Sequence, residues 1–155
     1  MKIATLAIIT RDNTVLLGRN KKGFAEGKLN GPGGKKEPTD ETTEECVVRE
    51  TEEEVGIRLD PAKLEKTAVI TFYAGGVSDF EVHVYTTSHF TDEPHETESM
   101  VPGWYPIDQL PTDQMLESDR MWFPQAIRGE KFYANVYYEE RMKGFLSIEF
   151  LPFNP

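Results

Sequence analysis

Three glutamates stand close together in one stretch of the chain and could hold a divalent metal ion. Glu50, Glu53 and Glu54 have the spacing i, i+3, i+4, which places residues on one face of an α-helix. Carboxylate oxygens are the ligands that hard divalent cations prefer. A cation held there could clamp phosphate oxygens, activate a water molecule and stabilise charge during an in-line displacement. This chemistry indicates hydrolysis of a phosphoanhydride, ahead of acyl or glycosyl transfer.

The same glutamates also have a simpler interpretation, which is a solvated acidic face. Glu is a good helix former, and runs of charged residues on exposed helices are common. On composition alone this interpretation is favoured over a metal site. The positions of residues outside the glutamate cluster must therefore decide between the two.

Local signals predict the helix that positions these glutamates. Thr42 and Glu45 match a capping box, which places the start of the helix near Thr42. Gly56 suits a left-handed C-terminal cap. The predicted helix therefore runs over residues 43–55. Arg49 lies four residues before Glu53, within reach of a salt bridge on the same face.

The remaining sequence predicts strands and a second helix. Alternating or apolar segments between turn residues predict strands at 2–10, 14–19, 64–74, 80–90, 100–105, 132–138 and 145–150. The first two strands, the third and fourth, and the last two are each expected to form a hairpin. One helical turn is predicted at 106–110 and a helix at 113–127, kinked or restarted at Pro124. The result is a single α+β domain over residues 1–155, with a sheet flanked by two helices.

Charge and composition narrow the possible partners. The 155 residues carry a formal net charge of −10, which argues against binding a nucleic-acid polymer or an anionic membrane surface. A small phosphorylated ligand stays compatible with this charge, because a bound cation can invert the local field. No apolar run has membrane-spanning length, and a single cysteine, Cys46, fits a reducing cytoplasm. We therefore expect a cytoplasmic protein.

The wider spacing changes the balance between the two interpretations of the glutamates. The segment from Glu41 to Ile57 has the form Glu-x7-Arg-Glu-Thr-x-Glu-Glu-x-Gly-Ile and resembles the Nudix box, as does Gly34 before it. Two departures are visible. The loop between Gly34 and Glu41 is one residue longer than the pattern, and Thr51 stands where the pattern has a bulky aliphatic residue.

The resemblance extends beyond the box. Several further stretches look like the eukaryotic-type MutT-homologue 8-oxo-dGTP diphosphatases: Val15–Gly18, Lys22–Phe24, Asn30–Lys35, Val82–Val84, Trp104 and Trp122–Pro124. The resemblance implies the Nudix fold, an α/β/α sandwich around a mixed β-sheet. It also implies Mg²⁺-dependent (or Mn²⁺-dependent) cleavage of a nucleoside triphosphate to monophosphate and pyrophosphate, in nucleotide-pool sanitation.

Matching this sequence to the family pattern residue by residue gives expected roles. The expected metal ligands are the Gly34 carbonyl, Glu50, Glu53, Glu54 and Glu98. Arg49 matches an arginine that orients the glutamates, and Glu41 a supporting carboxylate. The base that activates water is left open between Glu53, Glu50 and Glu98. The expected catalytic residues are thus Glu53, Glu50, Arg49 and Glu98.

The resemblance also implies a nucleobase pocket. Its expected residues are Thr5, Phe24, Asn30, Phe72, Leu116, Ser118, Asp119 and Tyr138, and Lys35 is expected to meet phosphates. Leu116 and Ser118 stand where the family has a stacking tryptophan and a second aspartate. The choice of base is therefore open. Alternative activities are hydrolysis of a nucleotide sugar or a dinucleoside polyphosphate, or nucleotide binding without catalysis. The oligomeric state, monomer or homodimer, is open as well.

Overall fold

The structure is a computed structural model that describes residues 1–154. Over this range the chain forms ten β-strands and two α-helices. In chain order they are β1 (Lys2–Arg11), β2 (Thr14–Asn20), β3 (Leu29–Asn30), α1 (Thr43–Val55), β4 (Arg58–Leu59), β5 (Glu65–Ala74), β6 (Val77–Thr87), β7 (Phe90–Thr91), β8 (Met100–Pro106), α2 (Asp119–Ile127), β9 (Phe132–Glu140) and β10 (Lys143–Pro152). Neither helix in residues 1–154 has the length and apolar character needed to cross a membrane.

Eight of these strands form one mixed sheet. Its order is β10-β9-β5-β6-β1-β2-β3, and β8 also pairs with β2. The neighbours β1 and β6 run parallel, as do β5 and β9. Parallel neighbours need a crossover connection, and here each connection contains one of the two α-helices. The predictions of a mixed sheet and of an α+β fold are confirmed.

Each helix covers one face of the sheet. Val47 and Val55 of α1 pack in a cluster with Ile9 of β1, while Trp122 of α2 packs in a second cluster with Ile8. Successive residues of a strand point to opposite faces, so β1 contributes to both clusters. The molecule is thus the predicted α/β/α sandwich, with a buried cluster on each side of the sheet.

The caps of α1 follow the sequence signals. The Thr42 side chain accepts a hydrogen bond from the Glu45 amide at 3.1 Å. Gly56 ends the helix with φ 78°, and its N–H donates to the Glu52 carbonyl. One detail differs from a reciprocal capping box, because the Glu45 carboxylate accepts from the amide of Glu41 instead of that of Thr42. The predicted helix bounds, residues 43–55, are confirmed.

The predicted hairpin between β1 and β2 is correct only at its turn. The two strands pair at Thr10 with Val15 and at Arg11 with Thr14. From Lys2 to Ile9, β1 pairs with β6 along its opposite edge. The divergence of β2 leaves an edge of β1 open to the loop that precedes α1, and that loop carries the two glycines of the site.

The second helix is shorter than predicted. A single turn of 3₁₀-helix lies at Thr112–Gln114, and α2 begins only at Asp119. Between them Met115 is extended, with ψ 167°, and its side chain is buried in the core. Burial of this apolar side chain favours the extended backbone over a continuous helix. Pro124 lies inside α2.

Candidate active site

The loop before α1 is hydrogen-bonded to the open edge of β1. The Thr5 amide donates to the Gly34 carbonyl at 2.9 Å, and the Ala7 amide donates to the Pro32 carbonyl at 2.7 Å. The Gly33 amide in turn donates to Glu54 Oε1 at 2.8 Å. These bonds fix the backbone of the loop between the strand and the glutamate face of α1.

Gly34 lies so close to α1 that a side chain at this position would collide with the Glu50 carboxylate. A Cβ atom at this position would lie 2.6 Å from Glu50 Oε2 and 2.5 Å from its carboxyl carbon. Because such a contact is far inside van der Waals distance, any larger residue would push the Glu50 carboxylate out of place. The glycine therefore allows the carboxylate to pack directly on the loop backbone.

The three glutamates have different environments. Glu50 is partly buried, and Arg49 contacts its carboxylate at 3.1 Å. Glu53 is exposed and contacts Arg49 at 3.3 Å, which confirms the predicted salt bridge. Burial, reinforced by the charges of Glu50 and Glu53, raises the pKa of Glu54 to about 7. Burial also raises the pKa of Glu50. A cation bound at this face would oppose both shifts, because a nearby positive charge favours the ionised carboxylate.

The main carboxylate partner of Arg49 is Asp40, which the sequence reasoning missed. Arg49 Nε donates to Asp40 Oδ1 at 2.9 Å, and Nη2 donates to Oδ2 at 2.6 Å. Asp40 is buried, and the bonds from Arg49 hold its pKa down at about 2. Glu41, which was expected to support the site, is exposed. The extra residue in this loop was the available signal, because it allows the supporting carboxylate to come from position 40.

This contact gives a first prediction. Asp40→Asn should lower the free energy of unfolding by about 1.5–3 kcal/mol, because it removes a hydrogen-bonded charge that pairs with Arg49. It should also lower activity, because Arg49 contacts both Glu50 and Glu53. Urea denaturation and turnover measurements check both effects. Glu41→Gln is the matched control, with a change in stability within about 0.5 kcal/mol; equal effects of the two substitutions would contradict the assignment.

The donor set of this face fits a hard divalent cation. Carboxylate oxygens predominate, and Glu50 and Glu54 are both held against the backbone of the glycine loop. Within residues 1–154, no three His, Cys, Asp or Glu side chains already form a group that could hold a metal ion. The glutamates instead contact different donors, which are Arg49 for Glu50 and Glu53 and the Gly33 amide for Glu54.

Two of the expected metal ligands, the Gly34 carbonyl and Glu98, lie apart from the three glutamates of α1 in their contacts. The Gly34 carbonyl points toward β1, where it accepts from Thr5 and where the Cys46 thiol lies 3.5 Å away. Glu98 is exposed, in a loop that is fixed to the end of α1 by a 2.7 Å hydrogen bond from the Thr97 hydroxyl to the Glu54 carbonyl. Metal binding by Gly34 and Glu98 therefore stays a prediction.

A cavity of about 210 Å³ opens beside the glutamate face. Many of the residues predicted for the site line it, namely Thr5, Asn30, Gly34, Lys35, Glu54, Phe72, Leu116, Asp119 and Tyr138. Others lie outside its lining, namely Phe24, Arg49, Glu50, Glu53, Glu98 and Ser118. The sequence reasoning missed several lining residues, among them Asp79, Phe80, Trp122 and Arg141. The alternation along β6, which brings Phe80 and Val82 to one face, was the available signal for Phe80.

The inner wall of the cavity carries a buried carboxyl group. Asp119 accepts a hydrogen bond from Trp122 Nε1 at 3.1 Å, and burial raises its pKa to about 7. Beside it, the Tyr138 hydroxyl donates to Ser118 Oγ at 2.8 Å and accepts from the Ser118 amide at 3.2 Å. Ser118 thus fixes Tyr138, while Asp119 keeps hydrogen-bonding capacity toward the cavity.

The buried carboxyl group gives a second prediction, on stability against pH. The pKa of Asp119 rises from 3.8 to about 7 on folding, so the folded protein binds the proton more tightly than the unfolded chain. The proton on Asp119 therefore adds to the free energy of unfolding, on the order of a few kcal/mol. This stabilisation is complete below about pH 4 and is lost as the pH rises to about 7. Urea denaturation without metal should show the wild type losing stability relative to Asp119→Asn between these pH values. If the free energy of unfolding changed with pH in the same way for both proteins, the raised pKa of Asp119 would be contradicted.

Comparison with known proteins agrees with this geometry. A model of the NUDIX domain matches residues 1–126. The chain is 38% identical to an oxidized purine nucleoside triphosphate hydrolase of Danio rerio over 132 residues, which are 84% of this chain and 83% of that protein. It is 33% identical to the Mus musculus protein of the same name over 141 residues, 90% of this chain and 88% of the relative.

Solved structures show the same fold. A mutator MutT protein from Bacillus halodurans superposes with a TM-score of 0.85, at 21% identity, over 99% of this chain and 100% of that one. At that identity the likeness establishes the fold alone. The glutamate face, the glycine loop and the match over residues 1–126 together show that this chain belongs to the Nudix family of hydrolases.

Proposed function

We propose that this protein hydrolyses oxidised purine nucleoside triphosphates such as 8-oxo-dGTP to the monophosphate and pyrophosphate. The observation that carries the proposal is one cavity with two kinds of wall. Glu54 and the glycine loop line it at the hydrolytic face, while Asn30 and Asp119 line it where a base can be hydrogen-bonded. The names of the two relatives support the choice of oxidised purines.

The residues of the chain divide into two sets under this proposal. Glu50, Glu53 and Glu54 hold Mg²⁺ or Mn²⁺, which when bound neutralises phosphate charge and favours attack by water. Arg49 orients Glu50 and Glu53 through the contacts described above. Glu53, Glu50 or Glu98 accepts the proton of the attacking water, and Lys35, next to Gly34, meets the phosphates.

The second set selects the base. Asn30 and Asp119 offer hydrogen bonds to the edge of a purine, and a neutral Asp119 can both donate and accept. The rest of the cavity wall around the base is formed by Thr5, Phe72, Leu116 and Tyr138. Ser118 holds Tyr138 through the hydrogen bond from the tyrosine hydroxyl. Phe24 is 68% exposed and lies outside the cavity lining, with its ring centre 4.9 Å from the guanidinium carbon of Arg141, which lines the cavity.

The proposal extends to the setting of the reaction. The chain works as one catalytic domain on a small-molecule nucleotide in the cytoplasm, as a monomer or homodimer. Its net charge of −10 disfavours nucleic-acid polymers and anionic membranes as partners.

A substrate panel tests the proposal directly. Release of pyrophosphate and phosphate is measured with 8-oxo-dGTP, 2-hydroxy-dATP, the ordinary dNTPs, nucleotide sugars and dinucleoside polyphosphates, each with Mg²⁺. The highest kcat/KM is expected for an oxidised purine triphosphate. A strong preference for a nucleotide sugar or a dinucleoside polyphosphate would overturn the proposal in favour of that second Nudix activity, and binding without turnover would indicate a non-catalytic module.

A further inference from the structure

A charged side chain of the last hairpin turn lies at the cavity. Glu140 pairs with Lys143, so Arg141 and Met142 form the two-residue turn between β9 and β10, and both line the cavity. Met142 has φ 58°, a left-handed conformation that costs roughly 1–2 kcal/mol for a residue with a Cβ. Backbone strain of this kind concentrates at functional sites. The turn therefore has a costly geometry that brings two side chains to the cavity.

The guanidinium of Arg141 is held by three residues from two parts of the chain. Its Nε donates to Asp79 Oδ2 at 2.6 Å, and its Nη2 donates to Asp79 Oδ1. Its Cζ lies 4.9 Å from the centre of the Phe24 ring and 5.2 Å from that of Phe80. Asp79 and Phe80 belong to β6, and Phe24 to the loop between β2 and β3. The side chain is thus held in one place despite its length.

The chemistry of this arrangement suits a nucleobase better than a phosphate. The carboxylate of Asp79 neutralises Arg141, so the pair attracts a polyphosphate weakly. A guanidinium is planar and stacks on aromatic faces and on bases. Of its three nitrogens, Nη1 is not used by Asp79, and its N–H groups can donate to a base carbonyl, as arginine does with guanine.

We propose that Arg141 is a specificity-determining residue that contacts the nucleobase of the substrate and favours purines carrying carbonyl groups. Asp79 is its positioning residue, because it fixes the guanidinium plane at the cavity. The inference rests on the proposed function, in which a purine nucleotide occupies the cavity. It adds Arg141 to the groups that contact the base.

Equilibrium binding to a series of ligands tests this assignment. Calorimetry would compare 8-oxo-2′-deoxyguanosine, its monophosphate and inorganic tripolyphosphate on wild type and Arg141→Ala. The variant should weaken binding of the nucleoside and of the monophosphate by the same factor, roughly tenfold, and should bind tripolyphosphate like wild type. Arg141→Lys keeps the charge but loses the planar fork, so it should resemble Arg141→Ala.

The matched control is Arg128→Ala. Arg128 is another surface arginine, paired with Glu130 at 2.9 Å and absent from the cavity lining, so its loss should change none of the three affinities. A melting temperature for each variant separates loss of binding from loss of folding, and Arg141→Lys supplies the test if Arg141→Ala does not fold.

Three results would overturn the assignment. A loss that grows with the number of phosphates would make Arg141 a phosphate ligand, and unchanged nucleoside binding in both variants would remove it from recognition. If Arg141→Lys bound the nucleoside as tightly as wild type does, the positive charge alone would explain the effect and the planar guanidinium would not be needed. The proposed function fails separately, if wild-type protein itself binds neither the oxidised purine nucleoside nor its monophosphate.

Discussion

Glu53→Gln should lower kcat with Mg²⁺ at least about a hundredfold, the loss expected when a metal ligand or general base is removed. Gln keeps the shape of the side chain and removes its charge, so the effect reports on the carboxylate itself. Glu53 is exposed and held only by Arg49 at 3.3 Å, and its replacement should therefore leave the fold intact. The measurement is steady-state turnover of the preferred triphosphate, with a melting curve for each protein.

The neighbouring residue gives the matched control for this experiment. Glu52 is exposed on the same helix, but it contacts Arg58 at 3.3 Å, away from the glycine loop. Glu52→Gln makes the same chemical change one residue away and should keep turnover within about twofold of wild type, since surface changes of this kind have small effects. Equal turnover of Glu53→Gln and wild type would remove Glu53 from the mechanism.

The second large effect is expected at Asp119. Asp119→Ala should lower kcat/KM for an oxidised purine triphosphate by roughly 5- to 150-fold, which corresponds to about 1–3 kcal/mol for leaving a hydrogen-bonding partner unsatisfied. The loss should appear mainly in KM, because the carboxyl group lies in the wall of the cavity and not on the glutamate face. Ordinary pyrimidine triphosphates should lose much less, so the ratio of kcat/KM between bases should fall.

Two companion variants sharpen this result. Glu117→Gln alters an exposed carboxylate two residues away and should leave both kinetic constants unchanged. Asp119→Asn keeps a neutral group that donates and accepts, so it should resemble wild type most closely below about pH 7, where Asp119 is protonated. An equal loss for every base in Asp119→Ala would assign the residue to stability and not to recognition.

The hydrolytic half of the site was predictable because its signals are local. The capping threonine, the spacing of the glutamates and Gly56 all lie within one helix and its ends, and each acts through neighbours three or four residues away. The structure agrees with this helix residue for residue. The partner of Arg49 was not predictable in the same way, because an extra loop residue changes which of Asp40 and Glu41 turns inward.

The base half of the site depends on contacts between distant segments. The pairing of β1 with β6 and of β5 with β9 brings Thr5, Phe72, Phe80 and Tyr138 to one cavity. The family resemblance indicated Thr5, Phe72 and Tyr138, whereas alternation along a strand does not say which strands lie side by side. Similarly, burial of Met115 shortened the predicted second helix through packing and not through propensity. The sequence did not indicate Arg141 as a site residue, because polar residues in a hairpin turn are usually exposed to solvent.

The parallel pairing of β1 with β6 also bears on how the protein folds. β1 leaves the ribosome well before β6, because the segment of β6 that pairs with Lys2 to Ile9 begins only at Phe80. Contacts that are distant in sequence carry a large loop-closure cost and slow folding. We expect the glutamate helix to form early and the cavity last, after β9 has been synthesised. During translation Lys2 to Ile9 of this apolar strand therefore lack their β6 partner. We expect aggregation of this chain to begin at this segment.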